Sequence, residues 1–315
     1  MIEMVDSDHA AGDAPGKLYG IVGALLTPFD GDGAVDGAAL EREIGYMASH
    51  CDAISIAGAE VAEYRALSAS ARRDLTRESA RLVDGRVPTM IGVSAPSLGE
   101  TAELCELAAE LGGTWSQVLL PNRTWGGEPT ASEVVAFVEA VVASSPLPVV
   151  LYHNPGQGSD PSLDALVAAC EVDGVVAVKD SSRNISRVLR LVEEIEKPGH
   201  AGYLATIQPL LTVLLAGGSG AMAPPPSTAL GAAIRDAYRA GDLQRAADLQ
   251  QLAAIFPGKW SGKHGLAPTM KAAMDAIGMP LGAPAAPYPP LSADDIAAIG
   301  EIVRAWPVTT PTTAP

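Results

Sequence analysis

The sequence is poor in cysteine, in aromatic residues and in positive charge, and each shortage excludes a class of protein. Three cysteines, Cys51, Cys105 and Cys170, lie far apart among 315 residues, which supports neither a disulfide framework nor a metal-binding motif and suits a reducing cytoplasm. Aromatic residues make up 4% of the chain and hydrophobic residues 48%, so the core must be mostly aliphatic. The 21 basic and 37 acidic residues give a net charge of -16, which argues against nucleic acid or an anionic membrane as a partner.

Long apolar runs are also missing. No stretch of about twenty apolar residues occurs, so no membrane-spanning helix is predicted. Residues 1–17 are acidic and rich in small side chains with no apolar centre, which is unlike a signal peptide. We expect residues 1–17 and the Pro- and Thr-rich residues 307–315 to be disordered tails.

Between these ends, short apolar strands alternate with helical patterns. Eight strand–helix units fill residues 18–241, from a strand at Ile21–Leu26 to a helix at Ser227–Ala240. Strands that alternate with helices predict a parallel sheet, and eight units in about 250 residues predict a closed α/β barrel, the (β/α)8 TIM barrel. Residues 242–306 show helical patterns around a proline-rich connector at 280–290, and we interpret them as a C-terminal helical extension packed on the barrel.

Lys179 follows the apolar run Val175–Val178 and is the first candidate for chemistry. Such a run predicts a strand buried on both faces, so a lysine at its end is partly removed from water. Loss of water disfavours the ammonium form and lowers the pKa of the amine, which can then attack a ketone near neutral pH. The alternative is a lysine that simply leaves the buried strand for solvent.

In an α/β barrel the carboxyl ends of the strands meet at one mouth, where the chemistry takes place. Tyr152 ends the strand before that of Lys179, and its phenol is suited to move a proton while Lys179 forms an imine. The alternative for Tyr152 is a strand-end aromatic ring with a satisfied hydroxyl. The strand-end rule brings eight positions to this mouth: Thr27, Glu60, Asn122, Arg123, Tyr152, Lys179, Thr206 and Met222.

Four motifs stand in a fixed order along the chain: Leu25-Leu26-Thr27-Pro28-Phe29, Leu151-Tyr152-His153-Asn154-Pro155-Gly156, Val178-Lys179-Asp180-Ser181-Ser182 and Gly217-Gly218-Ser219-Gly220. Together they resemble the dihydrodipicolinate synthase and N-acetylneuraminate lyase family, over about residues 18–306. The resemblance implies a class I lyase in which Lys179 condenses with a 2-keto acid, usually pyruvate, and Tyr152 relays protons. It also implies a homo-oligomer, a tetramer or a dimer. The imine supplies its own electron sink, so we expect no cofactor and no metal.

The loop after the second strand departs from the family. The family commonly has Gly-Thr-Thr-Gly-Glu there, and this chain has Ala-Glu-Val-Ala-Glu at residues 59–63. Val61 keeps a backbone N–H for the substrate carboxylate but offers no hydroxyl to relay protons. Glu60 brings a carboxyl group to the same place, and three roles stay open: it binds or transfers a proton, it pairs with Lys179 and silences the amine, or it is a solvated loop residue.

Two further departures concern the second substrate. The arginine that grips the aldehyde substrate's carboxylate in the synthase is matched by Gln157, which has no charge. The synthase's aromatic pair near the fourth strand is matched by Asn122 and Arg123. Arg123 is either a ligand for an acidic group of a different substrate or a loop arginine at a subunit contact.

Three more polar residues near these motifs need an interpretation. Strand alternation sends His153 to the face opposite Tyr152, so we expect it to be structural. Ser181 and Ser182 either reach substrate hydroxyls or cap backbone groups. His264 lies in a segment, residues 259–265, that we predict to be a basic loop.

The sequence therefore predicts a cytoplasmic class I lyase that acts on pyruvate or a related 2-keto acid, with an aldehyde as the other small-molecule partner. A sugar-acid dehydratase that shares the imine, the synthase proper, and an idle member that only binds a keto acid remain alternatives. Lys179 and Tyr152 are the predicted catalytic residues. The candidate substrate-binding residues are Glu60, Val61, Asn122, Arg123, Gln157, Ser181 and Thr206.

Overall fold

Eight parallel strands form a closed barrel in the computed structural model, which describes residues 18–256 and 258–308 without the side chain of residue 259. Each strand pairs with the next along the chain, and the eighth pairs with the first. The predicted tail at residues 1–17 and residues 309–315 of the other tail lie outside the described residues. The strands are β1 Gly20–Ala24, β2 Ala53–Ile56, β3 Thr89–Gly92, β4 Trp115–Leu119, β5 Val149–His153, β6 Val175–Asp180, β7 Gly202–Ala205 and β8 Gly220–Ala223.

A helix follows each strand, so the predicted TIM barrel is confirmed. Six of these helices begin at a residue whose side chain accepts a backbone N–H from the first turn, which satisfies a donor that has no partner within the helix. The other two follow prolines. The eight helices are α1 Gly37–Ala48, α2 Ala69–Val83, α3 Leu98–Glu110, α4 Ala131–Ser144, α5 Leu163–Cys170, α6 Ile185–Leu191, α7 Leu210–Ala216 and α8 Ser227–Arg239.

The barrel core is aliphatic, as the shortage of aromatic residues predicts. Every strand residue is buried except Val176, which is half-buried. This is the burial expected of parallel strands that have side chains in the barrel on one face and helices on the other. A polar side chain at a strand end is therefore attached to a backbone that is buried and held in place by packing.

Four further helices form the C-terminal extension: α9 Leu243–Ile255, α10 Gly258–His264, α11 Leu266–Ala276 and α12 Ala293–Arg304. Phe256 packs against Trp306 and Trp260, with ring centroids 5.1 and 6.1 Å apart. Helix α11 contacts a 3-10 turn, Glu60–Ala62, in the loop after β2. The extension thus reaches the mouth of the barrel.

Two local predictions are wrong. The predicted basic loop at residues 259–265 is largely helix α10. The first strand ends at Ala24 and not at Leu26, because the Leu26 N–H binds the buried Glu43 Oε1 at 2.7 Å, not a neighbouring strand. The second error comes from a partner 17 residues further along the chain, which the local pattern does not show.

Within residues 18–256 and 258–308, no helix is both long enough and apolar enough to cross a membrane.

Candidate active site

Lys179 and Tyr152 face each other at the end of the barrel. They are directly paired residues of β6 and β5, and the Lys179 Nζ lies 4.7 Å from the centroid of the Tyr152 ring. Lys179 is buried, and its amine donates a hydrogen bond to the Ser181 hydroxyl. Burial lowers the pKa of Lys179 to about 7, against a partial opposing effect of the Asp180 carboxylate. A substantial fraction of the amine is therefore neutral at physiological pH.

The Tyr152 hydroxyl is held at the same place. It accepts a hydrogen bond from Asn154 Nδ2 at 2.8 Å, and the side chain is buried. Burial raises the pKa of Tyr152, with a further rise from the negative charge of Glu60, while a hydrogen bond from Ser181 acts in the opposite direction. The phenol therefore keeps its proton at neutral pH and can donate it to a bound oxygen.

A cavity of about 730 Å³ opens above these two residues. Its wall comes from the barrel mouth and from the extension, which contributes Met270 and the connector residue Tyr288. Seven of the nine predicted site residues line it: Lys179, Tyr152, Glu60, Val61, Gln157, Ser181 and Thr206.

Asn122 and Arg123 do not line this cavity. Arg123 forms an ion pair with Glu133 at 2.6 Å, and Glu133 also completes a capping box with Thr130 at the start of α4. Asn122 Nδ2 lies 3.5 Å from the Gln157 carbonyl oxygen. Asn122 and Arg123 thus lie beside the loop that carries Gln157. They are outside the cavity wall, so the structure does not bring them to the place where substrate would bind.

The loop after β2 carries Glu60 into the cavity with its own partners. The Tyr64 hydroxyl donates to Glu60 Oε1 at 3.2 Å, and an Arg65 guanidinium nitrogen lies 3.5 Å from the same oxygen. Burial raises the pKa of Glu60, and the nearby Arg65 lowers it in part. Among the described residues, the ion-pair partner of Glu60 is Arg65, and this geometry does not support a Glu60–Lys179 pair that would silence the amine.

A second carboxylate in the same loop ties it to the extension. Glu63 adopts a left-handed backbone conformation with φ 53°, and its Oε1 accepts the Ala285 N–H at 2.7 Å. Lys271 of α11 lies 2.7 Å from Glu63 Oε2 and also donates to the Ala283 carbonyl at 2.8 Å. This buried ion pair fixes the loop that presents Glu60 and Val61.

His153 points away from the cavity, as strand alternation predicts. It is fully buried, with Nδ1 2.6 Å from Asp180 Oδ1 and Nε2 3.1 Å from Asp160 Oδ1. Tyr203 donates to the other Asp180 oxygen at 2.9 Å. These bonds fix Asp180, the residue after Lys179, and so hold the end of β6 in place.

Sequence reasoning missed four residues that line the cavity: Asn154, Arg65, Arg183 and Gln208. Asn154, Arg183 and Gln208 lie within three residues of a strand end, so a wider window around Tyr152, Lys179 and Thr206 would have included them. Arg65 gave no signal, because a loop as long as the one after β2 does not reveal which side chains turn inward. Gln208 Oε1 and Thr206 Oγ1 are buried and have no hydrogen-bond partner among the described residues.

The chain matches the model of the dihydrodipicolinate synthetase family over residues 17–306. The chain belongs to this family. The match covers nearly all of the sequence, and the resemblance inferred from the motifs is confirmed.

Individual family members share about a quarter of their residues with this chain. A 4-hydroxy-tetrahydrodipicolinate synthase from Acidovorax sp. (strain JS42) is 28% identical over 91% of this chain and 96% of that protein. An Escherichia coli (strain K12) protein named "Probable 2-dehydro-3-deoxy-D-pentonate aldolase YjhH" is 26% identical over 84% of this chain and 89% of that one. The crystal structure of dihydrodipicolinate synthase DapA-2 from Bacillus anthracis superposes with a TM-score of 0.83 at 23% identity, over 92% of this chain and 99% of that chain.

Membership of the dihydrodipicolinate synthetase family supports an enzyme, a lyase of the aldolase type. Within the described residues, no three His, Cys, Asp or Glu side chains lie close enough together to hold a metal ion.

Proposed function

We propose that this protein is a class I lyase that forms a Schiff base between Lys179 and pyruvate or a related 2-keto acid, and makes or breaks a carbon–carbon bond. The observation that carries the proposal is the buried Lys179 amine, with a pKa of about 7, at the floor of a cavity and against Tyr152. A lysine that merely left the strand for solvent would not be buried.

The first step is attack of the neutral Lys179 amine on the keto carbon. The addition gives a carbinolamine, which loses its hydroxyl group as water when a proton is supplied, and a positively charged imine results. The Tyr152 phenol is the proton source, because it is protonated at neutral pH and lies beside the amine. The imine then accepts the electron pair of the bond that breaks at the neighbouring carbon.

Ser181 supplies the hydroxyl that Val61 lacks. Its hydroxyl accepts from Lys179 and its hydrogen bond lowers the pKa of Tyr152, so it stands between amine and phenol. A proton can therefore pass among these three groups without a threonine in the loop after β2.

The start of the 3-10 turn Glu60–Ala62 offers a place for the keto-acid carboxylate. The first N–H groups of such a turn have no partner within it, and Val61 lines the cavity. The repulsion between Glu60 and the keto-acid carboxylate is reduced in two ways. Burial raises the pKa of Glu60 and so favours its neutral form, and Arg65 lies beside Glu60 and offsets its negative charge.

The aldehyde partner, the cytoplasmic location and self-assembly belong to the same proposal. Its support for the cytoplasm is the set of three buried free cysteines. Its support for assembly is the exposure of large apolar side chains on neighbouring outer helices, Leu189 on α6 and Leu215 on α7. Sedimentation of the purified protein distinguishes monomer, dimer and tetramer.

Borohydride trapping tests the proposal. The protein is incubated with pyruvate and sodium borohydride, and its intact mass and labelled peptide are measured. We expect one reduced pyruvyl adduct, on Lys179. Lys271 is a built-in control, because burial also lowers its pKa but Glu63 and Ala283 occupy its amine outside the main cavity. An adduct on Lys271, or no adduct with pyruvate or other 2-keto acids, would contradict the proposal.

The rate of trapping should depend on pH in a defined way. Only the neutral amine attacks the ketone, so the initial rate should rise about tenfold per pH unit below pH 7 and level off above it, since the pKa of Lys179 is about 7. Cyanoborohydride allows the measurement from pH 5.5 upward. A midpoint near pH 10 would show that the amine is not desolvated in solution.

Tyr152→Phe should slow the steps that need the phenol proton. We expect the variant to be trapped with pyruvate more slowly than the wild type but still on Lys179, and the exchange of the pyruvate methyl hydrogens with deuterium, followed by NMR, should slow by about 10²- to 10⁴-fold. Tyr238→Phe is the control, because it removes a phenol that binds the Leu214 carbonyl away from the cavity. Unchanged exchange in Tyr152→Phe would assign the proton relay to another group.

A further inference from the structure

The cavity is larger than pyruvate requires. Its volume of about 730 Å³ falls among pockets that hold drug-sized ligands, whereas pyruvate has only six non-hydrogen atoms. Two buried polar atoms of its wall, Thr206 Oγ1 and Gln208 Oε1, have no hydrogen-bond partner among the described residues. Buried polar groups are normally paired, so a longer substrate with polar groups along its chain fits this wall better than pyruvate alone.

The charged side chains of the cavity wall are mostly neutralised by each other. Glu60 pairs with Arg65, and Glu63 pairs with Lys271 behind the wall. His264 lies 3.0 Å from Asp295. Apart from Lys179 itself, Arg183 is the cation of the wall that has no acidic side chain within 4.0 Å in the described part of the chain.

The backbone at Arg183 is unusual for a residue with a long side chain. It lies in the loop between β6 and α6 with φ 58°, the left-handed region that glycine occupies without steric cost. A glycine would satisfy this turn more easily, and such conformations tend to persist where the side chain has a function.

Arg183 is also within electrostatic reach of the reacting amine. Its positive charge contributes to the lowered pKa of Lys179. Arg183 lines the same cavity, in the loop that follows the lysine strand. Gln157, where the synthase carries an arginine, supplies no charge in the neighbouring loop after β5.

We propose that Arg183 binds a second anionic group, a carboxylate or a phosphate, at the end of the substrate away from the carbonyl that reacts with Lys179. The inference rests on the proposed function and narrows its substrate class to 2-keto acids that carry a further negative charge. A guanidinium is suited to this task because it binds both oxyanions through paired, charge-assisted hydrogen bonds.

Matched pairs of keto acids test the proposal through adduct formation on Lys179. The carboxylate pair is 2-oxopentanoate and 2-oxoglutarate, which differ in a terminal methyl or carboxylate. The phosphate pair is 2-keto-3-deoxygluconate and its 6-phosphate. For each compound, the trapped fraction of Lys179 is measured against concentration, and adducts are counted whether the substrate is intact or cleaved.

The wild-type protein should reach half-saturation at about a 10- to 100-fold lower concentration with the charged member of at least one pair, and that pair identifies the anion. Arg183→Gly and Arg183→Gln should lose this preference, and Arg183→Lys should keep part of it. Loss of the Arg183 charge also removes a contribution that lowers the pKa of Lys179, so half-saturation by each longer acid is compared with half-saturation by pyruvate in the same variant. Arg183→Gly relieves the backbone, so its melting temperature should not fall, and a loss of folding cannot imitate the expected result.

Equal half-saturation within both pairs would overturn the inference, as would a charge preference that survives in Arg183→Gly, or trapping by pyruvate but by none of the longer acids. In each of these cases the pyruvate adduct on Lys179 would still form, and the proposed function would stand. Absence of every adduct would instead remove the proposed function and, with it, this inference.

Discussion

Lys179→Met should abolish both borohydride trapping with pyruvate and exchange of the pyruvate methyl hydrogens. Methionine keeps most of the volume and the apolar contacts of the lysine stem, but it removes the amine that lies over the Tyr152 ring. Because every later step passes through the imine, we expect exchange to fall by at least about 10⁴-fold, to the uncatalysed background.

The folding of this variant should be unharmed, which makes the result easy to interpret. The lysine amine is buried with a lowered pKa, so exchanging it for a thioether removes a desolvated polar group and not a paired charge. The melting temperature of Lys179→Met is therefore expected to equal or exceed that of the wild type. If the variant still exchanged the methyl hydrogens at a wild-type rate, the imine mechanism would be excluded even if an adduct had been trapped elsewhere.

Lys271→Met should have the largest effect on stability. The Lys271 side chain is 3% exposed and that of Glu63 10%, so removal of the lysine charge leaves the Glu63 carboxylate buried without its cation. Breaking a buried ion pair in this way costs about 3–5 kcal/mol of unfolding free energy. The Lys271 amine also lies 4.4 Å from the centroid of the Phe29 ring, and this cation–π contact is lost at the same time. We expect a clear drop in the urea midpoint.

Two variants make this experiment specific. Lys263→Met removes a lysine of the same extension that is 68% exposed and pairs with Asp295, and it should shift the midpoint little. The double variant Glu63→Gln/Lys271→Met removes both charges and should recover much of the loss. If Lys271→Met and Lys263→Met had the same effect, the buried pair would not be what holds the extension to the barrel.

The Lys271–Glu63 pair also connects stability to the site. Glu63 belongs to the loop that presents Glu60 and Val61 to the cavity, and its Oε1 holds the connector at Ala285. If the loop is loosened, its backbone N–H groups are less well ordered and bind the keto-acid carboxylate less tightly. In Lys271→Met we therefore expect a higher pyruvate concentration for half-maximal trapping, with the adduct still on Lys179.

The structural neighbourhood explains why family membership alone does not define the substrate. The loop after β2, the Gln157 position and the Asn122-Arg123 pair all differ from the synthase motifs. Under the proposed function, the loop after β2 and Gln157 contact the substrate, whereas Asn122 and Arg123 lie outside the cavity wall. Lys179 and Tyr152 are kept in register by the pairing of β5 with β6. Under the proposed function, imine formation therefore depends on the ends of β5 and β6, and the choice of substrate depends on the loops around them.

The sequence by itself determined the barrel and the place of its candidate active site. Alternating strand and helix patterns are local, and the rule that strand ends meet at one mouth is topological, so Lys179 and Tyr152 could be placed beside each other without coordinates. The same rule brought Glu60 and Thr206 to the cavity.

Only the tertiary structure decided which charged side chains form ion pairs with each other. Arg123 pairs with Glu133, Glu60 with Arg65, and Lys271 with Glu63, a partner 208 positions earlier in the numbering of the chain. Long charged side chains have many rotamers, and their choice among partners depends on burial and on segments that are distant in sequence. Strand ends follow from local patterns. In contrast, the ion pair that anchors the loop, and the lack of an acidic partner for Arg183 in the described part of the chain, depend on the assembled fold.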